Sequence, residues 1–393
     1  MNSPVALRSP DRRDDYLGSP ARRSLLRAAP GSLAWTLLGG LAGTGGVASA
    51  QPLDAKAVPV VDRLSVRVVT DSYHHAFEPS RTVGDLQIQR VGTSLSKDAP
   101  PRTLQNEWGL CLHLESARGD ESRQMLIDFG FTPQTLNGNL ALLGIDPARL
   151  DALLLSHGHY DHFGGLVGFL EAHGGKLKPE LPFYLGGEEC FCTREAGIGE
   201  NAGSFGALDR EAIRKAGLKI LFAEQPSVVA GHAFTTGRIP AETFERVLAP
   251  SRMRVGVSDG LGCAPEKMPE ARRELSGFVP DDFEHEQATA FVVRGKGLVV
   301  MTSCGHRGVV NSVRTAQRVS GEQKVHAVLG GFHLAPHKPD YLKQTAEALA
   351  ELSPDWLIPM HCSGEPFIAV AQQVLGDKVL RSSTGTRFTF GVA

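Results

Sequence analysis

Potential metal ligands crowd a short stretch of this chain directly after an apolar run. The stretch Ser156–Leu166 reads SHGHYDHFGGL and follows LDALLL, which predicts a short buried strand that opens into a loop and then a helix. Four side chains of the loop can bind a cation: His157, His159, Asp161 and His162. Imidazole nitrogen and carboxylate oxygen together suit a borderline metal such as zinc. The alternative is a solvated polar loop with scattered histidines, and the density of ligands favours a metal site.

Three single histidines later in the chain each follow an apolar segment. They are His306 in GLVVMTSCGH, His333 in AVLGGFHL and His361 in WLIPMHCSG. Each preceding run is rich in Val, Leu, Ile or Met and predicts a buried strand. We therefore expect these histidines at strand ends, where they can share a rim with the metal loop.

Together these residues resemble the metallo-β-lactamase superfamily over roughly residues 63 to 390. Further motifs carry the resemblance: MLIDFG with Asp128, TGxIP at 236–240, EQ at 286–287, GLVVxTxCxH at 297–306, GGFHL at 330–334 and PxHCxG at 359–364. This combination is similar to a subgroup that includes archaeal dihydropterin ribofuranosylaminobenzene phosphate synthases. Most members of that subgroup are labelled only as metallo-hydrolases, so the resemblance implies the fold more firmly than the substrate.

The resemblance implies an α/β fold, the four-layer αββα metallo-β-lactamase sandwich, and a role for each motif residue. A first metal would be held by His157, His159 and His306, and a second by Asp161, His162 and His361. A hydroxide between the cations would attack the substrate, because the cations lower its pKa and polarise the substrate oxygen. Asp128 would stand behind the ligands and fix the tautomer of an imidazole.

One departure from the pattern concerns the aspartate that bridges the two metals in many relatives. Between His306 and His361 the only aspartates are Asp340, at a predicted helix start, and Asp355, before a predicted strand. His333 lies near the expected place, as a replacement ligand, a substrate-facing acid or a structural histidine. We therefore predict one or two Zn²⁺ ions per chain, with Mn²⁺ or Fe as other candidates, and catalytic roles for Asp161 and His333.

Six cysteines are spread over the chain, and their spacing proves no disulfide. Cys190 and Cys192 are too close in sequence for the two-residue spacing of zinc knuckles or thioredoxin-like sites. Cys304 and Cys362 stand beside predicted metal histidines near strand ends and could approach one another, or they are simply small buried side chains.

The N-terminal fifty residues predict a twin-arginine export signal. Arg22 and Arg23 precede the weakly apolar, Gly-rich segment 32–47, and Ala48-Ser49-Ala50 resembles a cleavage site. A membrane anchor is the alternative, but the apolar segment is shorter than the roughly 20 residues that span a bilayer. We expect a signal over 1–50, a linker over 51–62 and a catalytic domain over 63–393, with an insertion or cap around 190–284. The polar, Pro- and Gly-containing part of this cap, roughly 244–284, predicts a long loop over the site. The product would be periplasmic or secreted, without stable membrane insertion after cleavage.

Composition supports a folded enzyme with a small-molecule substrate. The 393 residues are 41% hydrophobic and 21% charged. The formal net charge of −2 does not indicate a basic surface that would bind nucleic acid. The predicted function is a metal-dependent hydrolase of an ester, lactone, amide or phosphoester. Two alternatives are a transferase similar to the pterin-linked synthases, against which an export signal argues, and a metal-binding sensor without turnover.

Overall fold

A computed structural model describes residues 48–54, 58–92, 101–197, 203–248 and 251–391. Its strands, in chain order, are β1 (Ala48–Ser49), β2 (Val60–Val61), β3 (Arg63–Thr70), β4 (Arg81–Val83), β5 (Leu86–Gln89), β6 (Cys111–Arg118), β7 (Glu121–Ile127), β8 (Ala152–Leu154), β9 (Pro182–Leu185), β10 (Thr193–Ala196), β11 (Gly203–Ser204), β12 (Lys219–Phe222), β13 (Ser227–Val229), β14 (Ala233–Thr235), β15 (Ser251–Arg254), β16 (Gly256–Ser258), β17 (Leu261–Cys263), β18 (Phe278–Pro280), β19 (Thr289–Val293), β20 (Gly297–Thr302), β21 (Val325–Gly331), β22 (Trp356–Met360) and β23 (Arg387–Gly391).

Within the described ranges, eight α-helices connect these strands. They are α1 (Pro133–Leu142), α2 (Tyr160–Phe163), α3 (Leu166–His173), α4 (Arg210–Lys215), α5 (Glu270–Arg273), α6 (Val309–Ser320), α7 (Pro339–Glu351) and α8 (Glu365–Leu375). Local sequence explains where α1 begins. The side chain of Thr132 accepts a hydrogen bond from the backbone N–H of Thr135, and Pro133 occupies the first turn. Among the described residues, no helix has both the length and the apolar character needed to cross a membrane.

Two large sheets form the centre of the fold. The first has ten strands in the order β1-β12-β9-β8-β7-β6-β3-β23-β5-β4, and the second has seven, with β13-β14-β19-β20-β21-β22 in order and β2 paired to β19. Residues of β7 alternate between two cores: Met125 and Ile127 share a core with Val299 and Met301 of β20, whereas Leu126 faces the side that carries α1 and α3. Such alternation follows from the two-residue period of a strand.

The second sheet alternates in the same way. Leu298 and Val300 of β20 lie in a third core with apolar residues of α6, α7 and α8. The layers are therefore helix, sheet, sheet and helix, and the structure confirms the predicted four-layer α/β sandwich. The helices cover the outer faces, and the central core is formed by the two inner faces of the sheets.

Parallel pairing brings several strand ends to one edge of the sandwich. In the second sheet β20, β21 and β22 are mutually parallel, and in the first sheet β7, β8 and β9 are parallel. The segments that follow β8, β20, β21 and β22 contain the histidines singled out from the sequence. The carboxyl ends of parallel strands are the usual location of ligand sites in α/β proteins.

The segment 190–284 has more regular structure than the sequence predicted. Its described part adds β12 to the ten-stranded sheet and β13 and β14 to the seven-stranded sheet, and it forms a separate sheet in the order β11-β10-β15-β18. The long loop expected over 244–284 was therefore wrong there. Strands of three or four residues are too short to show a clear hydrophobic period, which explains the error.

Most of the predicted export signal, residues 1–47, lies outside the described residues. Ala48 and Ser49 pair with Leu221 and Phe222 of β12, and Ala50 is buried. The boundaries predicted for signal, linker and domain stay predictions.

Candidate metal centre

The metal loop leaves β8 at Leu154 and is held by tight backbone contacts. Gly158 has no room for a side chain, because a Cβ atom there would overlap the guanidinium of Arg194 and lie 2.7 Å from the carbonyl oxygen of Cys190. A Cβ on Gly164 or Gly165 would collide with a backbone carbonyl of the segment that precedes α1. These glycines allow the loop to turn directly into α2 and α3.

The first predicted ligand set comes together in the structure. Ligand atoms of His157, His159 and His306, all buried, lie within 4.8 Å of one another. His157 Nδ1 is 2.9 Å from the hydroxyl of Ser156, which leaves Nε2 buried without a hydrogen-bond partner. Both ring nitrogens of His306 also lack one. Ser251 contacts His159 Nε2 at 3.1 Å.

The second predicted set is brought together as well. Ligand atoms of Asp161, His162 and His361, all buried, lie within 4.8 Å of one another. His162 Nδ1 is 2.7 Å from Asp128 Oδ2, and its Nε2 has no hydrogen-bond partner. Asp161 Oδ1 also lacks a partner, while Asp161 Oδ2 lies 3.3 Å from His361 Nε2.

Burial keeps the first ligand set in the form that binds metal. Desolvation and the neighbouring His162 hold the pKa of His157 well below its ordinary value, and burial lowers the pKa of His159 to about 3. A neutral imidazole keeps the lone pair that a cation requires. Buried lone pairs without partners are costly unless something binds them, so the residues fit a pair of divalent cations.

The charge balance of the second set differs. Burial opposes ionisation of His361, but Cys362 and Asp161 raise its pKa to about 9. Burial also opposes the charge on Asp161, yet His162 and His361 more than offset it and lower its pKa. The metal-free site therefore holds a proton on His361 that a cation would have to displace.

Asp128 lies where the sequence predicted a supporting carboxylate. Besides the contact with His162, it accepts hydrogen bonds from the backbone N–H and the hydroxyl of Ser156. These three contacts fix the ring of His162 with Nδ1 toward the carboxylate. The motif MLIDFG was the signal that identified it.

Other supporting residues were missed from the sequence or noted only as part of a motif. Glu286, the first residue of the EQ motif, is buried and accepts hydrogen bonds from the backbone N–H groups of His306 and Arg307, and burial raises its pKa to about 7. Asp71, at the end of β3, accepts a hydrogen bond from the backbone N–H of His361. Each holds a ligand through the backbone, and no spacing rule connects residues so far apart in the chain.

A buried ion network supports the other side of the loop. Arg194 is fully buried, donates to Asp281 Oδ2 at 2.6 Å and contacts His285 Nε2 at 3.0 Å. The same nitrogen of His285 accepts a hydrogen bond from the backbone N–H of Gly158. None of these three side chains was predicted from the sequence as a support of the loop.

Neither candidate for a bridging aspartate reaches the site. Asp340 is exposed at the start of α7, and Asp355 contacts His326 at 2.8 Å. His333 does reach it: ligand atoms of Cys304, His306 and His333 lie within 4.8 Å of one another, and His333 Nε2 has no hydrogen-bond partner. The proposal that His333 replaces a missing ligand or acts as an acid therefore has a geometric basis.

Aromatic rings border the centre. Phe283 stacks on His306 with ring centroids 3.8 Å apart, and Phe205 lies 5.2 Å from the ring of His159. Trp108 lies 5.0 Å from the ring of His361 and is 54% exposed, which places an indole at the outer side of the second ligand set.

Comparison with known proteins finds one matching family model and two similar curated sequences. The model of the metallo-β-lactamase superfamily matches residues 118–181. A 7,8-dihydropterin-6-methyl-4-(β-D-ribofuranosyl)-aminobenzene-5′-phosphate synthase of Methanocaldococcus jannaschii is 28% identical over 262 residues, which cover 66% of this chain and 82% of that protein. An uncharacterised protein of the same organism is 28% identical over 246 residues, or 62% of this chain and 80% of that protein.

A solved structure shares the fold. The crystal structure of a metal-dependent hydrolase of the β-lactamase superfamily is similar with a TM-score of 0.58 and 21% identity, covering 84% of this chain and 99% of that chain. At this identity the likeness concerns the architecture, which is the layered sandwich described above.

Proposed function

We propose that this chain, whose residues 118–181 match the model of the metallo-β-lactamase superfamily, is a metal-dependent hydrolase of an ester, lactone, amide or phosphoester bond in a small molecule. One observation carries the proposal: two adjacent groups of three buried ligands contain ring nitrogens and a carboxylate oxygen that have no hydrogen-bond partner. A solvated or purely structural histidine cluster would satisfy these atoms with hydrogen bonds.

Each ligand set is assigned to one cation. His157, His159 and His306 hold one cation, Asp161, His162 and His361 hold the other, and Zn²⁺ suits this nitrogen-rich set. Bound cations would lower the pKa of a water molecule and polarise the substrate oxygen.

Two further residues manage protons. Asp128 keeps the proton of His162 on Nδ1. His333 is the proposed general acid: burial opposes its charge, but contact with Cys362 raises its pKa, so it can deliver a proton to a leaving group.

A substrate screen tests the hydrolase proposal. Purified protein loaded with zinc is assayed against phosphodiester, lactone, carboxylic ester and β-lactam probes, beside His159→Ala and the control His337→Ala. We expect cleavage of at least one probe class, its loss in His159→Ala and its retention in the control, since His337 belongs to none of the ligand groups. Equal activity of His159→Ala and the parent would contradict the proposed site.

The M. jannaschii synthase makes a transferase the second candidate. Such an enzyme would use the same cations to stabilise charge on a phosphate-bearing intermediate. Condensation of a 7,8-dihydropterin that carries a leaving group on its 6-methyl carbon with 4-(β-D-ribofuranosyl)-aminobenzene-5′-phosphate, followed by product mass, separates transfer from hydrolysis. Tight metal binding without turnover of any probe would instead support a sensor.

We further propose that the chain acts outside the cytoplasm, exported by the twin-arginine signal, without stable membrane insertion and without nucleic acid as a partner. The disulfide between Cys192 and Cys263 supports an oxidising compartment. Fractionation of cells that express the full chain, compared with an Arg22→Lys, Arg23→Lys variant, tests export. Accumulation of the parent in the cytoplasm would contradict it.

A further inference from the structure

Two buried thiols lie inside the ligand cluster. Cys304 follows β20, Cys362 follows β22, and their sulfur atoms are 3.2 Å apart, although 58 residues separate them. Both side chains are 2% exposed. Neither takes part in the disulfide, so both are free for other chemistry.

The sulfur of Cys304 is shared by ligands of both cation positions. Within 4.8 Å it forms one group with His157 and His162 and a second with His306 and His333. It forms a third group with His361 and Cys362. Two atoms bound to one zinc ion, sulfur at about 2.3 Å and nitrogen at about 2.1 Å, are at most about 4.4 Å apart. The groups extend to 4.8 Å, which exceeds this limit by about 0.4 Å, so the atoms need to move by at most a few tenths of an ångström to come within reach of one cation.

The bridging position has no carboxylate among the described residues. Asp161 is the only carboxylate in the ligand groups found there, and it already belongs to the second set. Among the residues that the structure describes, Cys304 is the one side chain outside the two sets that forms groups with members of both. A thiolate is a strong ligand for zinc, and a coordinating thiol loses its proton on binding.

We propose that the thiolate of Cys304 is a ligand shared by the two cations and takes the place of a bridging aspartate. This rests on the proposed function, because it assigns a further ligand to the same centre. It also favours zinc over manganese, since sulfur is a soft ligand and Mn²⁺ prefers oxygen.

Cys362 is a positioning residue in this arrangement. Its sulfur accepts a hydrogen bond from the backbone N–H of His333 at 3.2 Å, and its thiol lies 3.7 Å from the carbonyl oxygen of Cys304. Gly331 makes room for it, because a Cβ there would lie 2.8 Å from the sulfur. Cys362 is thus fixed by contacts with the backbone and holds the sulfur of Cys304 in place.

Cobalt substitution tests the proposal without an activity assay. The chain is reduced with a phosphine, loaded with Co²⁺, and followed for metal content per chain and for sulfur-to-cobalt charge-transfer absorption in the near ultraviolet. We expect the parent to show the band and Cys304→Ser to lose it. Cys111→Ser is the matched control, a buried free cysteine outside every ligand group, and should keep it. Cys362→Ser should keep the band with a shifted maximum.

The outcomes separate this inference from the proposed function. Two cobalt ions in the parent without a sulfur band, or an unchanged band in Cys304→Ser, would overturn the role of Cys304 and leave the metal centre standing. A parent that binds no metal would overturn both. X-ray absorption at the zinc edge of the parent alone gives a second measurement, with a sulfur neighbour at about 2.3 Å expected; a shell of nitrogen and oxygen only would contradict the proposal.

Discussion

At the scale of single residues, the centre depends on which nitrogen of each imidazole is free. Ser156, Asp128 and Ser251 each occupy one ring nitrogen of a ligand histidine, so the partner decides which lone pair remains. Loss of a partner of this kind commonly lowers metal affinity by about 10–100-fold. The ligands are recognisable in the sequence, and most of their partners are not.

Replacing the carboxylate behind His162 tests this principle. In Asp128→Asn the amide cannot accept both from Ser156 and from His162 with the same strength, so we expect metal affinity to fall about 10–100-fold. Competition with a chromophoric chelator measures the affinity. Asp340→Asn, at an exposed position, is the control and should match the parent. Equal affinities of Asp128→Asn and the parent would show that the carboxylate does not support the site.

Proton release on metal binding follows from His361. Its pKa of about 9 means that it is protonated in the metal-free chain at pH 7.5, and a cation must displace that proton. Affinity should therefore fall by about tenfold per pH unit for each proton displaced as the pH drops below 9. Titration calorimetry in two buffers of different ionisation enthalpy should report at least one proton released per chain. Identical heats in both buffers would contradict the assignment.

At the scale of elements, close strand packing delivers the ligands to one edge. β20 and β21 approach so closely at Gly330 that a Cβ there would overlap the carbonyl oxygen of Thr302, and the backbone has a φ of 122°. This contact fixes the exits of the two strands, and with them His306 and His333. The sequence predicted the strands correctly from their apolar runs, but it did not indicate how closely they approach.

A pair of glycine substitutions separates close packing from backbone strain. Gly330→Ala should lower the free energy of unfolding by about 3 kcal/mol or more, because the sheet must open to admit the methyl group. Gly321→Ala, at the end of α6 with φ 75° and open space around it, should cost only about 1–2 kcal/mol. Urea unfolding monitored by circular dichroism gives both values. Equal losses of unfolding free energy in the two variants would show that the close approach of the strands adds no cost beyond backbone strain.

The disulfide ties together two parts of the segment 190–284. Cys192 precedes β10, Cys263 ends β17, and 71 residues separate them. A Cys192→Ser, Cys263→Ser variant should lose about 2–5 kcal/mol of unfolding free energy, because its unfolded chain is no longer cross-linked. Urea unfolding of the oxidised parent, the reduced parent and the variant measures this. A variant as stable as the oxidised parent would show that the bond does not constrain the segment.

At the scale of the whole molecule, the fold joins sets of residues that the sequence keeps far apart. The metal loop and the strands before it could be predicted because the HxHxDH spacing and the apolar runs are local, whereas the layered sandwich was implied by the resemblance of several motifs to the metallo-β-lactamase superfamily. The approach of Cys304 to Cys362, left open from the sequence, depends on the order of the parallel strands β20, β21 and β22 in one sheet. The contact of Asp71 with His361 joins the two sheets, and no local pattern encodes either arrangement. The short strands around Ser251 were missed for a simpler reason, since three or four residues carry little periodic signal.

The most direct test of a two-cation centre is the metal content of the intact chain by mass spectrometry of the elements. Protein purified without chelator should hold two equivalents of metal. A double variant of the first ligand set (His159→Ala with His306→Ala) should hold one, and so should a double variant of the second set (Asp161→Ala with His361→Ala). His337→Ala should match the parent. One equivalent or none in the parent, or two equivalents retained in either double variant, would contradict the centre described above.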